Sequence, residues 1–197
     1  NGSGITTFQF REIINVSVDN EGQLHLKIAK RNEVWTCGEI YLNSSLGYGE
    51  YIYRMATPVN DLTDPLVLSG FLFESLVREI DIEFSHALAA PHDFQFVVQP
   101  YYTTGNIVRM DMAPVNQSSH RILWRSDRIE FTSWKGWSAY PPVPSDVIAS
   151  WTYTGADIPP PGGERMRFNF WLFEGNPPAD GLDHEAIINS FTYTPLI

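Results

Sequence analysis

Polar and apolar residues alternate in short runs along most of the chain, and a period of two predicts strands. Gln23-Leu24-His25-Leu26-Lys27-Ile28 is one such run, and Asp19-Asn20-Glu21-Gly22 before it is a turn signal. Residues 49–55, 94–99, 128–131 and 166–172 repeat the pattern, and residues 186–193 read as a closing strand. The longest apolar stretch, residues 66–73, has the length of a strand and falls far short of the about 20 residues that cross a bilayer, so no membrane span is expected. Helical periodicity is almost absent. With 14 prolines and 14 glycines punctuating the runs, the pattern predicts an all-β chain, an antiparallel sandwich or barrel filling residues 1–197 as a single domain. Residues 134–163 are the least regular, rich in proline and tryptophan, and are expected to form a long functional loop.

One run carries unusual chemistry: Arg78-Glu79-Ile80-Asp81-Ile82-Glu83-Phe84. Alternation puts Glu79, Asp81 and Glu83 on one face and Ile80, Ile82 and Phe84 on the other. Like charges at about 6–7 Å repel, and acids are poor strand formers, so folding gains nothing obvious from this face. Retaining glycoside hydrolysis would use it, because that reaction needs a nucleophilic carboxylate and a second carboxyl that donates and then accepts a proton. An aspartate between two glutamates can share a proton with a neighbour and hold the two pKa values apart. On alternation alone, a solvated outer face carrying three acids by chance explains the run equally well. A calcium or magnesium cluster fits less well, since same-face strand residues do not wrap round an ion as a loop does.

Charge narrows the partners. The formal net charge of -10, from 13 basic and 23 acidic residues, repels a phosphate backbone, and no basic stripe offsets it, so no nucleic-acid partner is expected. A neutral carbohydrate is indifferent to that sign. A hydrophobic fraction of 43% with 14% aromatics supplies a core. Cys37 is the one cysteine, which excludes an internal disulfide and a thiolate metal site and predicts a small buried hydrophobe. Asn15, Asn43 and Asn116 begin glycosylation-type triplets, and Asn1-Gly2-Ser3-Gly4 reads as a cut end. The five histidines lack metal-ligand spacing and are expected to be exposed or hydrogen-bonded. Neither a G-x-S-x-G elbow nor a P-loop occurs.

Glu79-Ile80-Asp81-Ile82-Glu83-Phe84 resembles the E-x-D-x-E signature of family 16 glycoside hydrolases, in the ungapped form of lichenases and xyloglucan transglycosylases. Cys37-Gly38-Glu39-Ile40 followed by Gly47-Tyr48-Gly49-Glu50-Tyr51 is similar to that family's strand ending in Y-G-x-Y, and the likeness runs from Asn15 to Tyr193. The resemblance implies a concanavalin A-like jelly-roll β-sandwich with a concave glycan cleft. It implies Glu79 as nucleophile, Asp81 as assisting acid and Glu83 as acid/base, with Glu39, Gln95, Asn169 and Trp171 lining the cleft. Departures from the family pattern are Val77 and Arg78 before the first glutamate, Tyr41 for an arginine, Val97 for a cleft asparagine, and a missing cysteine partner. Some members hold a structural calcium, but Asn189 stands where an acid is expected, and no cofactor is required.

Open glycan clefts also use aromatic faces, on which the C–H side of a pyranose rests. Trp171 shares a face with Asn169, which suits a cleft or a core. Trp137 and Trp151 either cap an end of the sandwich or serve a subsite, and Trp151 is taken as a substrate-binding residue. The resulting expectation is a monomeric, secreted, cell-surface or periplasmic endo-acting retaining glycosidase on a polysaccharide, with a β-1,3-1,4- or β-1,3-glucan first. The alternatives are a transglycosylase using the same residues, a non-catalytic glycan-binding module, or a purely structural domain.

Overall fold

The structure is a computed structural model that describes residues 4–5 and 14–196. The Asn1-Gly2-Ser3 stretch read as a cut end lies outside the described residues. In chain order the strands are β1 (Gly4–Ile5), β2 (Val16–Val18), β3 (Leu24–Arg31), β4 (Val34–Thr36), β5 (Gly38–Tyr41), β6 (Gly49–Met55), β7 (Leu66–Ser75) and β8 (Arg78–Phe84). They continue as β9 (Phe94–Val98), β10 (Ile107–Met110), β11 (Ser118–Trp124), β12 (Ile129–Lys135), β13 (Val147–Tyr153), β14 (Arg165–Leu172) and β15 (His184–Pro195).

Two antiparallel sheets form a jelly-roll sandwich. The nine-stranded sheet runs β13-β12-β11-β6-β15-β3-β2, with β1 on β15 and β4 on β3; the six-stranded sheet runs β10-β9-β8-β7-β14-β5. Alternation decides what lies between them. On β14, Met166, Phe168, Phe170 and Leu172 are buried while Arg165, Arg167, Asn169 and Trp171 are half-exposed on the other face. Ile80, Ile82 and Phe84 of β8 point inward in the same way. Aromatic rings bridge the sheets, with Phe96 stacked on Phe131 at 4.9 Å and Tyr53 edge-on to Phe168 at 5.3 Å.

Gly70 on β7 makes room for Tyr53. A Cβ at Gly70 would stand 2.6 Å from the Tyr53 ring, so Gly70→Ala must displace a fully buried aromatic under the six-stranded sheet. The expected loss is about 1–3 kcal/mol of unfolding free energy, read as a lower denaturant midpoint at unchanged slope.

β11 escaped the alternation reading because it opens on polar residues that are nevertheless buried. His120 is held between the hydroxyls of Ser118 and Ser133, each at 2.8 Å, with Phe84 at 4.7 Å and Tyr53 at 5.1 Å. Burial pushes its pKa down to about 3, so the ring stays neutral and exchanges bonds with two hydroxyls inside the core. Three further expectations change. Residues 134–163 are not one loop, because β13 crosses them and pairs with β12. Cys37 is exposed, not buried. Asn15 is buried, its amide donating to the Cys37 carbonyl at 3.1 Å, which hides that glycosylation triplet in the folded chain.

Candidate active site

The outward face of the six-stranded sheet is ordered in rungs that cross the strands. One rung runs Arg109, Gln95, Glu83, Ser69, Asn169 and Glu39, a polar residue from each strand in turn. The next is Ile107, Val97, Asp81, Phe71, Arg167 and Tyr41, in which Asp81 is the one acid. Glu79 lies opposite Phe73 in the third. Adjacent strands are about 4.8 Å apart, so a six-strand rung spans about 24 Å, enough for a short oligosaccharide laid across the sheet.

Glu79, Asp81 and Glu83 share a cavity of about 300 Å³ with Glu39, Asn169 and Trp171. A second cavity of about 330 Å³ continues past Glu83 and Trp171 toward Gln95, Tyr101 and Arg109. The acids therefore stand on the floor of one cleft, and the chance outer-face reading does not hold. Glu39, Gln95, Asn169 and Trp171 all meet this cleft. Trp151 does not. It lies on β13 in the other sheet, stacked on Phe131 at 5.3 Å, because the register sets it opposite that buried residue and packs it against the core. Trp134 is fully buried, and the Trp137 indole donates to the Met55 carbonyl on the nine-stranded sheet, so no tryptophan of residues 134–163 reaches the acids.

The cleft also holds residues that alternation did not single out. Arg167 donates to Glu39 Oε1 at 2.8 Å, with its guanidinium 4.4 Å from the Phe73 ring centre and 5.3 Å from that of Tyr41. Tyr41 on β5 stands opposite Arg167, so the cation of this rung comes from β14. Arg109 Nε donates to Gln95 Oε1 at 3.1 Å, and Gln95 Nε2 donates to Glu83 Oε2 at 2.7 Å. That relay fixes one Glu83 oxygen. Arg78 turns away from the cleft, pairing with Glu74 at 2.8 Å and donating to the Pro160 carbonyl at 2.6 Å.

Burial and mutual repulsion dominate the electrostatics. Asp81 is 2% exposed, and desolvation, followed by the charges of Glu79 and Glu83, holds its carboxyl well above the usual range. Desolvation likewise pushes Glu79 up to about 7 against the opposing bond to Asp81, and raises Glu83 against its bond to Gln95 and the charge of Arg109. Asp81 Oδ1 has no donor in reach, so a bond between Asp81 and Glu79 requires that one of them be protonated. Asp81 is the most buried of the three carboxyls, and burial favours its protonated form.

Among the buried side-chain atoms with no hydrogen-bond partner are Ser69 Oγ, Asp81 Oδ1, Arg167 Nε and Asn169 Oδ1, all on the cleft floor. Native interiors satisfy nearly all such groups, so their convergence on one floor marks a surface shaped by something other than stability. Among the described residues no three His, Cys, Asp or Glu side chains group to hold a metal ion.

Solved structures share this architecture. A β-1,3-glucanase from Mycobacterium marinum matches at TM-score 0.67 and 16% identity, over 91% of this chain and 77% of its own. The fold is that of the β-glucanases. An immunostimulatory antigen and pseudo β-1,3-glucanase of Mycobacterium tuberculosis has the same β-glucanase fold at TM-score 0.69 and 16% identity, covering 93% of this chain and 79% of that one. A β-1,3-1,4-glucanase (lichenase) from a mouse hindgut metagenome matches at TM-score 0.59 and 18% identity over 92% and 84% of the two chains. No family model and no curated protein matches the sequence.

Proposed function

We propose that this chain is a family 16 glycoside hydrolase, a retaining endo-β-glycosidase acting on a polysaccharide, with a β-1,3- or mixed-linkage β-1,3-1,4-glucan as the first substrate. The observation that carries this reading is the set of three carboxyls on the floor of a cleft open along its length, among polar atoms that lack partners within the chain. An open cleft suits internal cutting, and sugar hydroxyls would satisfy Ser69, Arg167 and Asn169.

In the first step the Glu79 carboxylate attacks the anomeric carbon and the glycosidic C–O bond breaks. Its electron pair stays on the departing oxygen, which takes the proton of Glu83. Asp81 keeps its proton and hydrogen-bonds through it to the free oxygen of Glu79, a bond that weakens as charge leaves that carboxylate. In the second step water gives a proton to Glu83, now a base, and its oxygen displaces Glu79 from the anomeric carbon. Two inversions leave the configuration retained. The raised pKa of Glu83 suits its first role, since a proton donor must stay protonated near working pH. With a sugar hydroxyl in place of water, the same residues transfer the glycosyl group.

A binding module on the same fold is the second reading, favoured by the pseudo-glucanase among the neighbours and by Val97 and Tyr41 in the cleft. A reducing-end assay on laminarin, mixed-linkage β-glucan, xyloglucan and galactans separates the two. Cutting of a β-glucan with oligosaccharide products supports the enzyme; no cutting, with retardation in glucan-containing gels, supports the module.

A further inference from the structure

The loop joining β9 to β10 has two sides. Gln99 and Tyr101 on one side line the cleft. On the other side Thr103, Thr104 and Asn106 form one wall of a separate groove of about 330 Å³, faced by Trp151, Thr152 and Thr154. This groove runs along β13, the end strand of its sheet, which among the described residues pairs with β12 alone.

Its chemistry is that of a sugar platform. One face of the half-buried Trp151 indole stacks on Phe131 at an interplanar angle of 17°, and the same residue lines the groove. The four threonines of the lining are exposed and bring hydroxyls to the groove. The walls are clipped together beneath. Tyr153 OH donates to Asn106 Oδ1 at 2.9 Å and accepts from the Asp157 amide at 3.2 Å. Asn106 Nδ2 donates to Asp157 Oδ2 at 2.9 Å and to the Pro100 carbonyl at 3.2 Å. Asn106 is 2% exposed, so the groove is preorganised, and less ordering free energy is lost on binding. Asp157 is the one charged residue of the lining and accepts a bond from Asn106, while the rest of the lining is uncharged, aromatic rings and hydroxyls among it.

We propose that this groove is a second, non-catalytic binding site for a neutral β-glycan, with Trp151 as the platform on which a pyranose ring stacks. It rests on the reading of the chain as a glucan-binding protein but needs no turnover. Sharing a loop with the cleft, it holds a distant part of the same polysaccharide and raises the local concentration of chain at the acids.

The test is affinity electrophoresis in gels holding laminarin or mixed-linkage β-glucan, run with Glu79→Gln protein so that the glucan stays intact. Adding Trp151→Ala weakens retardation about fivefold, the size of one lost stacking contact. Because Trp151 also covers Phe131, the double variant Thr104→Glu/Thr154→Glu is run beside it, and it weakens retardation likewise at an unchanged melting temperature. Retardation that survives both changes, or that falls only with Trp151→Ala, overturns the site. If wild-type protein cuts no glucan yet these losses appear, the hydrolase reading fails and the second site stands.

Discussion

Glu79→Gln abolishes turnover, lowering the rate of reducing-end release on a cut β-glucan by about a thousandfold or more while leaving oligosaccharide binding in place. The size follows from what is removed, since without a carboxylate at Glu79 no glycosyl-enzyme forms, and replacing a group that makes the covalent bond costs far more than replacing one that orients substrate. Binding persists because Glu39, Gln95, Asn169 and Trp171 still line the cleft and glutamine keeps the shape of glutamate. Rates on the β-glucan panel and retardation in glucan gels read the two effects separately. Undiminished activity removes Glu79 from the nucleophile role.

The same substitution stabilises the fold at neutral pH. Glu79 has an ordinary pKa near 4.5 in the unfolded chain and about 7 in the folded one, raised first by burial. Between those values the folded protein binds more protons than the unfolded, so stability falls as pH rises from about 4.5 to about 7 and is level beyond. Asp81 and Glu83 are shifted in the same direction and extend the loss upward. Glutamine carries no charge to desolvate. Unfolding free energies of wild type and Glu79→Gln therefore coincide near pH 4 and diverge above it, the variant gaining up to about 3 kcal/mol at pH 8 by the 1.36 kcal/mol per pKa unit of linkage. A variant no more stable than wild type at pH 8 would mean that burial does not raise the Glu79 carboxyl in the folded chain. Inactivation and stabilisation from one substitution are expected where a site is held against its own electrostatics.

The acids were legible because their signal is local. A period of two puts Glu79, Asp81 and Glu83 on one face, and crowded charge on a strand costs enough to need another explanation. The partners of those acids come from register between strands distant in sequence, which no local period encodes. Arg167 enters the cleft because β14 pairs with β7, and Glu39 because β5 pairs with β14. Phe71 and Phe73 were hidden by a β7 run that is apolar on both faces, where Ser69 is the polar residue that marks the cleft side. Arg109 is separated from the acids by the loop between β9 and β10, and its exposed side chain carries no motif. Trp151 went the other way. It was expected on a long loop beside the cleft, because the prolines around it masked the strand that carries it in the opposite layer.

The nucleophile can be caught in place. An activated 2-deoxy-2-fluoro laminaribioside slows both chemical steps, and its good leaving group lets the first outrun the second, so the glycosyl-enzyme accumulates. Peptide mass spectrometry of the treated protein is expected to find one disaccharide ester on Glu79 and none on Glu79→Gln protein. An ester on Glu83 or on a residue outside the cleft, or unlabelled Glu79 in protein that still cuts β-glucan, contradicts it.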